Sequence, residues 1–121
     1  VKFTGAHVQN LCGQISLHES AALIRDAQMV ITHDTGMMHI AAAFQKEIIS
    51  IWGNTIPAFG MYPYYKKGVQ KNRTIEVKGL SCRPCSKIGF GKCPKGHFKC
   101  MLDIPEEEIA QAVHHTFLSS K

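Results

Sequence analysis

No apolar run in this 121-residue chain exceeds a few residues, whereas a helix crossing a bilayer needs about 18–20. The N-terminus also lacks the basic-then-apolar pattern of a secretory signal. Glycine and proline are not in excess, and the chain is 45% apolar and 19% charged. That composition excludes disordered and collagen-like chains and calls for a packed core. The length excludes two full domains, because single cores usually serve about 100–150 residues. Methionine is absent from position 1, where Val1 stands, as suits a piece excised from a longer polypeptide.

Acidic residues are scarce in one region. Between Lys66 and Lys99 ten Lys/Arg face a single acid, Glu76, although residues 1–65 carry a slight net negative charge. A basic stretch of this kind either attracts anions or forms a solvated lysine face. The same stretch holds Cys82, Cys85 and Cys93, with Cys100 next, in the spacing C-x2-C-x7-C-x6-C. Four thiolates can close a zinc site, but the second half does not repeat CxxC, so two disulfides or four reduced thiols stay open as well. Cys12 is isolated and reads as a small apolar residue.

Elements follow from periodicity. Ser16-Leu17-His18-Glu19 is a capping box opening a helix whose stripe is Leu17, Ala21, Ile24 and Ala27. Met29–Thr32 and Ile48–Trp52 are near-continuous β-branched runs of the kind buried in parallel sheets. Between them Met37, Ile40, Ala41 and Phe44 follow helical spacing, which makes a βαβ unit. Pro57 and Pro63 mark a loop, and residues 74–78 alternate as an edge strand. The cysteine segment should be irregular. Asp103 as cap and Pro105 in the first turn then open a final helix, about 104–118, with Ile109, Ala112, Val113 and Phe117 inward. There is no internal repeat.

Asp34-Thr35-Gly36 stands between the first strand and its helix, at the strand end where α/β sheets bind ligands. Gly36 permits close approach, and the first amides of the helix and its dipole favour a phosphate. Thr35 and His39 could add donors. Asp34 would be repelled by phosphate, so its expected tasks are capping the helix or accepting from a sugar hydroxyl or backbone amide. The alternative is that Asp34 and Thr35 only cap a core helix. An aspartic-protease reading fails, because that chemistry needs a second Asp-Thr-Gly and none is present.

The run from Asn10 through Leu17, Ala22 to Ala27, Thr32 to Ala43 and Ile49 to Gly53 resembles the glycosyltransferase family 9 heptosyltransferases. The segment Asp-Thr-Gly-x-x-His-x-Ala-Ala carries most of the likeness, and the tail from Ser81 to Met101 is also similar to many members. The resemblance implies a GT-B enzyme of two Rossmann-like domains, in which residues 1–121 are part of the C-terminal nucleotide-sugar-binding domain. The fold class expected is α/β with a Rossmann-like parallel sheet, plus a Cys/Lys-rich segment 80–102. It implies an inverting transfer from an ADP-heptose-class donor to the lipopolysaccharide core, in the cytoplasm or at the inner-membrane surface.

Carried over by residue, Asp34, Thr35 and Gly36 fall on the diphosphate turn, with backbone donors from Gly36 and Met37 and with His39 just behind. Ile15 falls where the family sets an apolar side chain against adenine. The family's catalytic base lies in an N-terminal domain that this chain lacks, so the chain alone should be inactive. No cofactor is required for transfer, zinc at the cysteines remaining an option, and nucleic acid is not an expected partner. Lys66, Lys67 and Lys71 are candidates to meet the acceptor. A sheet edge missing its neighbouring strands should favour self-association. A small zinc-stabilised nucleic-acid-binding module is the alternative from another class; its weakness is the acidic front half with a phosphate-type turn.

Overall fold

The computed structural model describes residues 7–119. The chain runs through helix α1 (Leu17–Asp26), strand β1 (Met29–His33), helix α2 (Gly36–Ala43), strand β2 (Glu47–Trp52) and strand β3 (Asn72–Glu76). A short helix α3 (Lys99–Leu102) and the terminal helix α4 (Glu106–Ser119) complete it. The strands form one parallel sheet in the order β1-β2-β3, an α/β, Rossmann-like arrangement. Met29 pairs with Glu47 and His33 with Ile51, while Ile48 pairs with Asn72 and Trp52 with Glu76. All three strands therefore end on one side of the sheet.

Strand β2 is central and is covered on both faces, which explains its unbroken apolar run. Successive side chains alternate between two cores. Ile48 and Trp52 join Met38, Ala41 and Ala42 of α2, with Ile24 and Val30 packed around them. Ile49 joins Ile75 and Ala112, with Ile104, Ile109 and Val113 around. Ser50 is fully buried on the Trp52 side, where its hydroxyl accepts the indole N–H at 2.9 Å. Each buried polar group thereby satisfies the other.

The capping box forms as the sequence dictates: Ser16 Oγ accepts the Glu19 amide, and Glu19 accepts the Ser16 amide at 2.7 Å. These bonds hold the Glu19 carboxyl below its ordinary value, the Ser16 amide contributing most. The stripe expected on α1 is only partly used. Ile24 reaches the core, but no residue of α1 is fully buried and Leu17 stays 60% exposed. Its main neighbour is α2, and one packed contact cannot cover a whole stripe.

Helix α2 buries Ala41 as expected, but with Met38 and Ala42 rather than Met37, Ile40 and Phe44. Phe44 is outside, 41% exposed. Six of the eight residues are Met, Ile or Ala, so periodicity alone could not choose the inward face. Strand β3 sits two residues earlier than expected, because the Ile48 amide bonds the Lys71 carbonyl at 2.7 Å and extends the pairing backward. Asp103 does not cap α4. It closes α3, donating its amide to the Lys99 carbonyl at 3.0 Å, and α4 begins only at Glu106, after Pro105. In α4, Ala112 is buried and Ile109 and Val113 pack on the sheet, whereas Phe117 is 47% exposed.

Among the described residues β1 pairs on one side only. Helix α4 packs on β2 and β3, which leaves Ile31 of β1 half exposed. No helix of the described residues is long and apolar enough to cross a membrane.

Candidate donor-phosphate turn

The parallel register carries the end of β1 straight into His33-Asp34-Thr35 and then the first turn of α2. Thr35 occupies the N-cap position in extended backbone, φ −142° and ψ 168°, yet its side chain caps nothing. Its hydroxyl lies 3.2 Å from that of Thr32. The Met38 amide closes onto the Thr35 carbonyl at 3.1 Å. The amides of Gly36 and Met37 precede it and open the helix, where the first donors lack intrahelical acceptors. A Cβ placed on Gly36 would meet nothing within 4 Å. No packing contact in the protein demands a glycine there, and the space around the position is open.

Asp34 does not cap α2. Its Oδ2 accepts from the Thr55 hydroxyl at 3.1 Å, drawing the carboxylate toward the end of β2. Thr55 is buried, 8% exposed. Asp34, Asn54 and Thr55 line a cleft of about 300 Å3 together with Phe90, Lys92 and Met101. His39 lies one helical turn beyond Thr35 and is exposed. Ile15 is half-buried immediately before α1. The two-residue link from α1 to β1 reverses the chain, so Ile15 belongs to the same end of the sheet as the Asp34 turn. An exposed amide pair, a threonine hydroxyl and an imidazole in one place can hold a phosphate group.

The basic residues divide between the two ends of the sheet. Lys71 directly precedes β3, and its carbonyl bonds the first turn of β2. Lys66 and Lys67 border a separate hollow with Tyr64, Tyr65 and Asn72. These three lysines sit where the strands begin, at the opposite end of the sheet from the Asp34 turn. Lys71 pairs with Glu47 at 3.9 Å, both side chains 43% exposed, a contact worth little in water. Tyr65 anchors this end, its hydroxyl donating to the Lys46 carbonyl at 2.9 Å; burial pushes its phenol well above the ordinary value.

The cations at the end of the sheet that carries the Asp34 turn come from the cysteine segment. Arg83 is the main one, its side chain only 7% exposed. Its guanidinium donates to the carbonyls of Gly53, Thr55 (2.9 Å) and Val77 (3.4 Å) and to Glu76 Oε2 at 2.6 Å. No local sequence pattern announces Arg83, Asn54 or Thr55 as neighbours of the Asp34 turn, because the bonds that bring them together span 21 to 36 residues.

The four cysteines are free thiols. Cys82 Sγ lies 3.6 Å from His97 Nε2. The Phe98 amide donates to Cys93 Sγ at 3.4 Å, and it and the amides of Lys95, Gly96 and His97 lower the Cys93 thiol below its usual range. Burial, followed by the neighbouring sulfurs, pushes Cys100 up. Among the described residues no three His, Cys, Asp or Glu side chains are grouped to hold a metal ion.

A family model described as glycosyltransferase family 9 (heptosyltransferase) matches residues 2–90. A protein named lipooligosaccharide heptosyltransferase 2 from Haemophilus ducreyi is 31% identical over 107 residues, spanning 87% of this chain and 28% of that protein. One of the same name from Campylobacter jejuni is 30% identical over 106 residues, spanning 87% of this chain and 31% of the relative. Lipopolysaccharide heptosyltransferase 2 of Salmonella typhimurium is 25% identical over 109 residues, 90% of this chain and 29% of its own length. The chain thus spans less than a third of the length of these relatives. No solved structure gives a significant match.

Proposed function

The chain belongs to glycosyltransferase family 9, and from that membership we propose that it forms the donor-binding part of a heptosyltransferase-like enzyme of lipopolysaccharide core assembly. The observation that carries this reading is the opening turn of α2. Met38 consumes the Thr35 carbonyl, while Gly36 and Met37 present amides beside a position with no Cβ and open space around it. The diphosphate of an ADP-heptose-class donor sits on those amides, with Thr35 and His39 donating to further oxygens. Ile15 packs against the adenine. The Asp34 carboxylate, already turned into the cleft, accepts from hydroxyls of the donor sugar.

In an inverting transfer a general base activates the acceptor hydroxyl, and the departing nucleoside diphosphate carries the developing negative charge. Residues of this chain serve the second requirement. Preorganised amides and the helix dipole stabilise the leaving diphosphate without reorganising. The base belongs to the rest of the enzyme, so this chain alone is inactive. The whole protein acts on a nucleotide-sugar donor and a lipopolysaccharide core acceptor, in the cytoplasm or at the inner-membrane surface.

The test is titration of the 15N-labelled chain with ADP. Shifts concentrated at the amides of Thr35, Gly36 and Met37 support the reading, and the absence of any shift there refutes it.

A further inference from the structure

The cysteine segment grips the loop after β2 at three successive residues. Arg83 takes the carbonyls of Gly53 and Thr55, and the Cys85 amide takes that of Asn54 at 3.0 Å. The grip is returned by Asn54 Nδ2, which donates to the Phe90 carbonyl at 3.1 Å. Packing is close on both sides of this loop. A Cβ on Gly89 would fall 2.6 Å from Asn54 Oδ1, and one on Gly53 would fall 2.5 Å from the sulfur of Met101. Arg83 is itself fixed by Glu76 at the end of β3. The segment 83–90 is therefore bolted to the ends of two strands.

What the gripped loop delivers is the Thr55 hydroxyl, and its acceptor is Asp34. A carboxylate beside a helix N-terminus is attracted by the positive end of the dipole and by the unpaired amides that carry it. Here the side chain is turned sideways, and those amides stay available.

We propose that Thr55 and Arg83 are positioning residues for the diphosphate turn: Arg83 fixes the Gly53–Thr55 loop, and the Thr55 hydroxyl holds the Asp34 carboxylate off the amides of Gly36 and Met37. The ligand class is a nucleoside diphosphate, and the inference rests on the donor-site reading given above. Without Thr55, Asp34 competes with the phosphate for the same donors and repels it. Loss of the hydroxyl then weakens binding while leaving the fold nearly as stable, because Asp34 gains the helix amides in exchange.

The experiment is calorimetric titration of the chain with ADP, with thermal melting recorded for each variant. Thr55→Val is expected to bind about tenfold more weakly, the weight of one hydrogen bond to a charged group. Thr55→Ser keeps the hydroxyl and should bind within about twofold of the wild type. In an Asp34→Ala background Thr55→Val should cost nothing further, since no carboxylate remains to be steered. Arg83→Lys, which cannot span the same acceptors, should weaken ADP in the wild type and add little to Thr55→Val.

Equal affinity of Thr55→Val and wild type overturns the proposal, as does an undiminished Thr55→Val effect without the Asp34 carboxylate. If Arg83→Lys fails to fold, the Thr55–Asp34 cycle decides alone. A wild-type chain that binds no ADP overturns the donor-site reading and this inference together, whereas wild-type binding with an additive cycle overturns only this inference.

Discussion

Replacing Gly36 by alanine should move stability and ligand affinity in opposite directions. The position opens α2, its φ lies outside the left-handed region, and a new Cβ would meet no atom within 4 Å. The substitution therefore strains nothing in the folded chain. It also removes backbone freedom from the unfolded chain, which stabilises by about 0.4–1 kcal/mol at a compatible site. With a urea slope of about 1–3 kcal/mol/M for a small protein, the unfolding midpoint should rise by about 0.1–1 M. The same methyl group stands where a phosphate must approach the Gly36 and Met37 amides. Losing one charge-assisted hydrogen bond costs about 1.5–3 kcal/mol, or about 10- to 150-fold in the ADP dissociation constant. Urea unfolding followed by circular dichroism gives the first number and calorimetry the second. An alanine variant that binds ADP as tightly as the wild type would refute the assignment of this turn to the phosphate. A variant with a lower unfolding midpoint would refute the claim that the fold leaves this position free.

Glu19 has a folded-state pKa below its ordinary value, so its contribution to stability is present above that value and lost as pH falls through the folded one. The acid limb of a stability-versus-pH curve should accordingly flatten in Glu19→Gln; an unchanged limb would exclude the capping box as its source. Limited alkylation at pH 7, read by mass spectrometry, should modify Cys93, whose thiol is lowered by backbone amides, well before buried Cys100. The reverse order would contradict the placement of both sulfurs. Among the described residues strand β1 pairs on one side only and Ile31 is half exposed, so the chain should self-associate with rising concentration, and Ile31→Lys should shift it toward monomer on size exclusion. A wild type that stays monomeric at millimolar concentration would remove this expectation.

Several features were readable in the primary structure because their causes are local. The Ser16–Glu19 box involves four consecutive residues and forms as written. The β-branched runs at 29–32 and 48–52 became adjacent parallel strands. The Asp34-Thr35-Gly36 turn lies where the strand–helix junction puts it. Failures occurred where an outcome depended on a distant partner. Which face of α2 turns inward was set by Ile48 and Trp52 on β2, not by the helix's own pattern. Asp103 was drawn into closing α3, a four-residue helix with no periodicity to betray it. Lys66, Lys67 and Lys71 belong to the same basic run as Arg83 and Lys92, yet parallel strand direction sends them to the opposite end of the sheet.

By itself the sequence determined the α/β class, the order of the first helices and strands, the capping of α1 and the place of the Asp34-Thr35-Gly36 turn between strand and helix. Each is encoded in contiguous residues through periodicity, propensity or backbone freedom. Only the tertiary structure decided what Asp34 does. A carboxylate beside a helix N-terminus has a local choice of partners, and a Thr55 hydroxyl 21 positions away takes it sideways instead. That hydroxyl is in place because Arg83, a further 28 positions along, satisfies carbonyls at the ends of β2 and β3. Hydrogen-bond demand at strand ends is met by whatever donor the folded chain brings there, and such a partner leaves no periodic trace in the sequence.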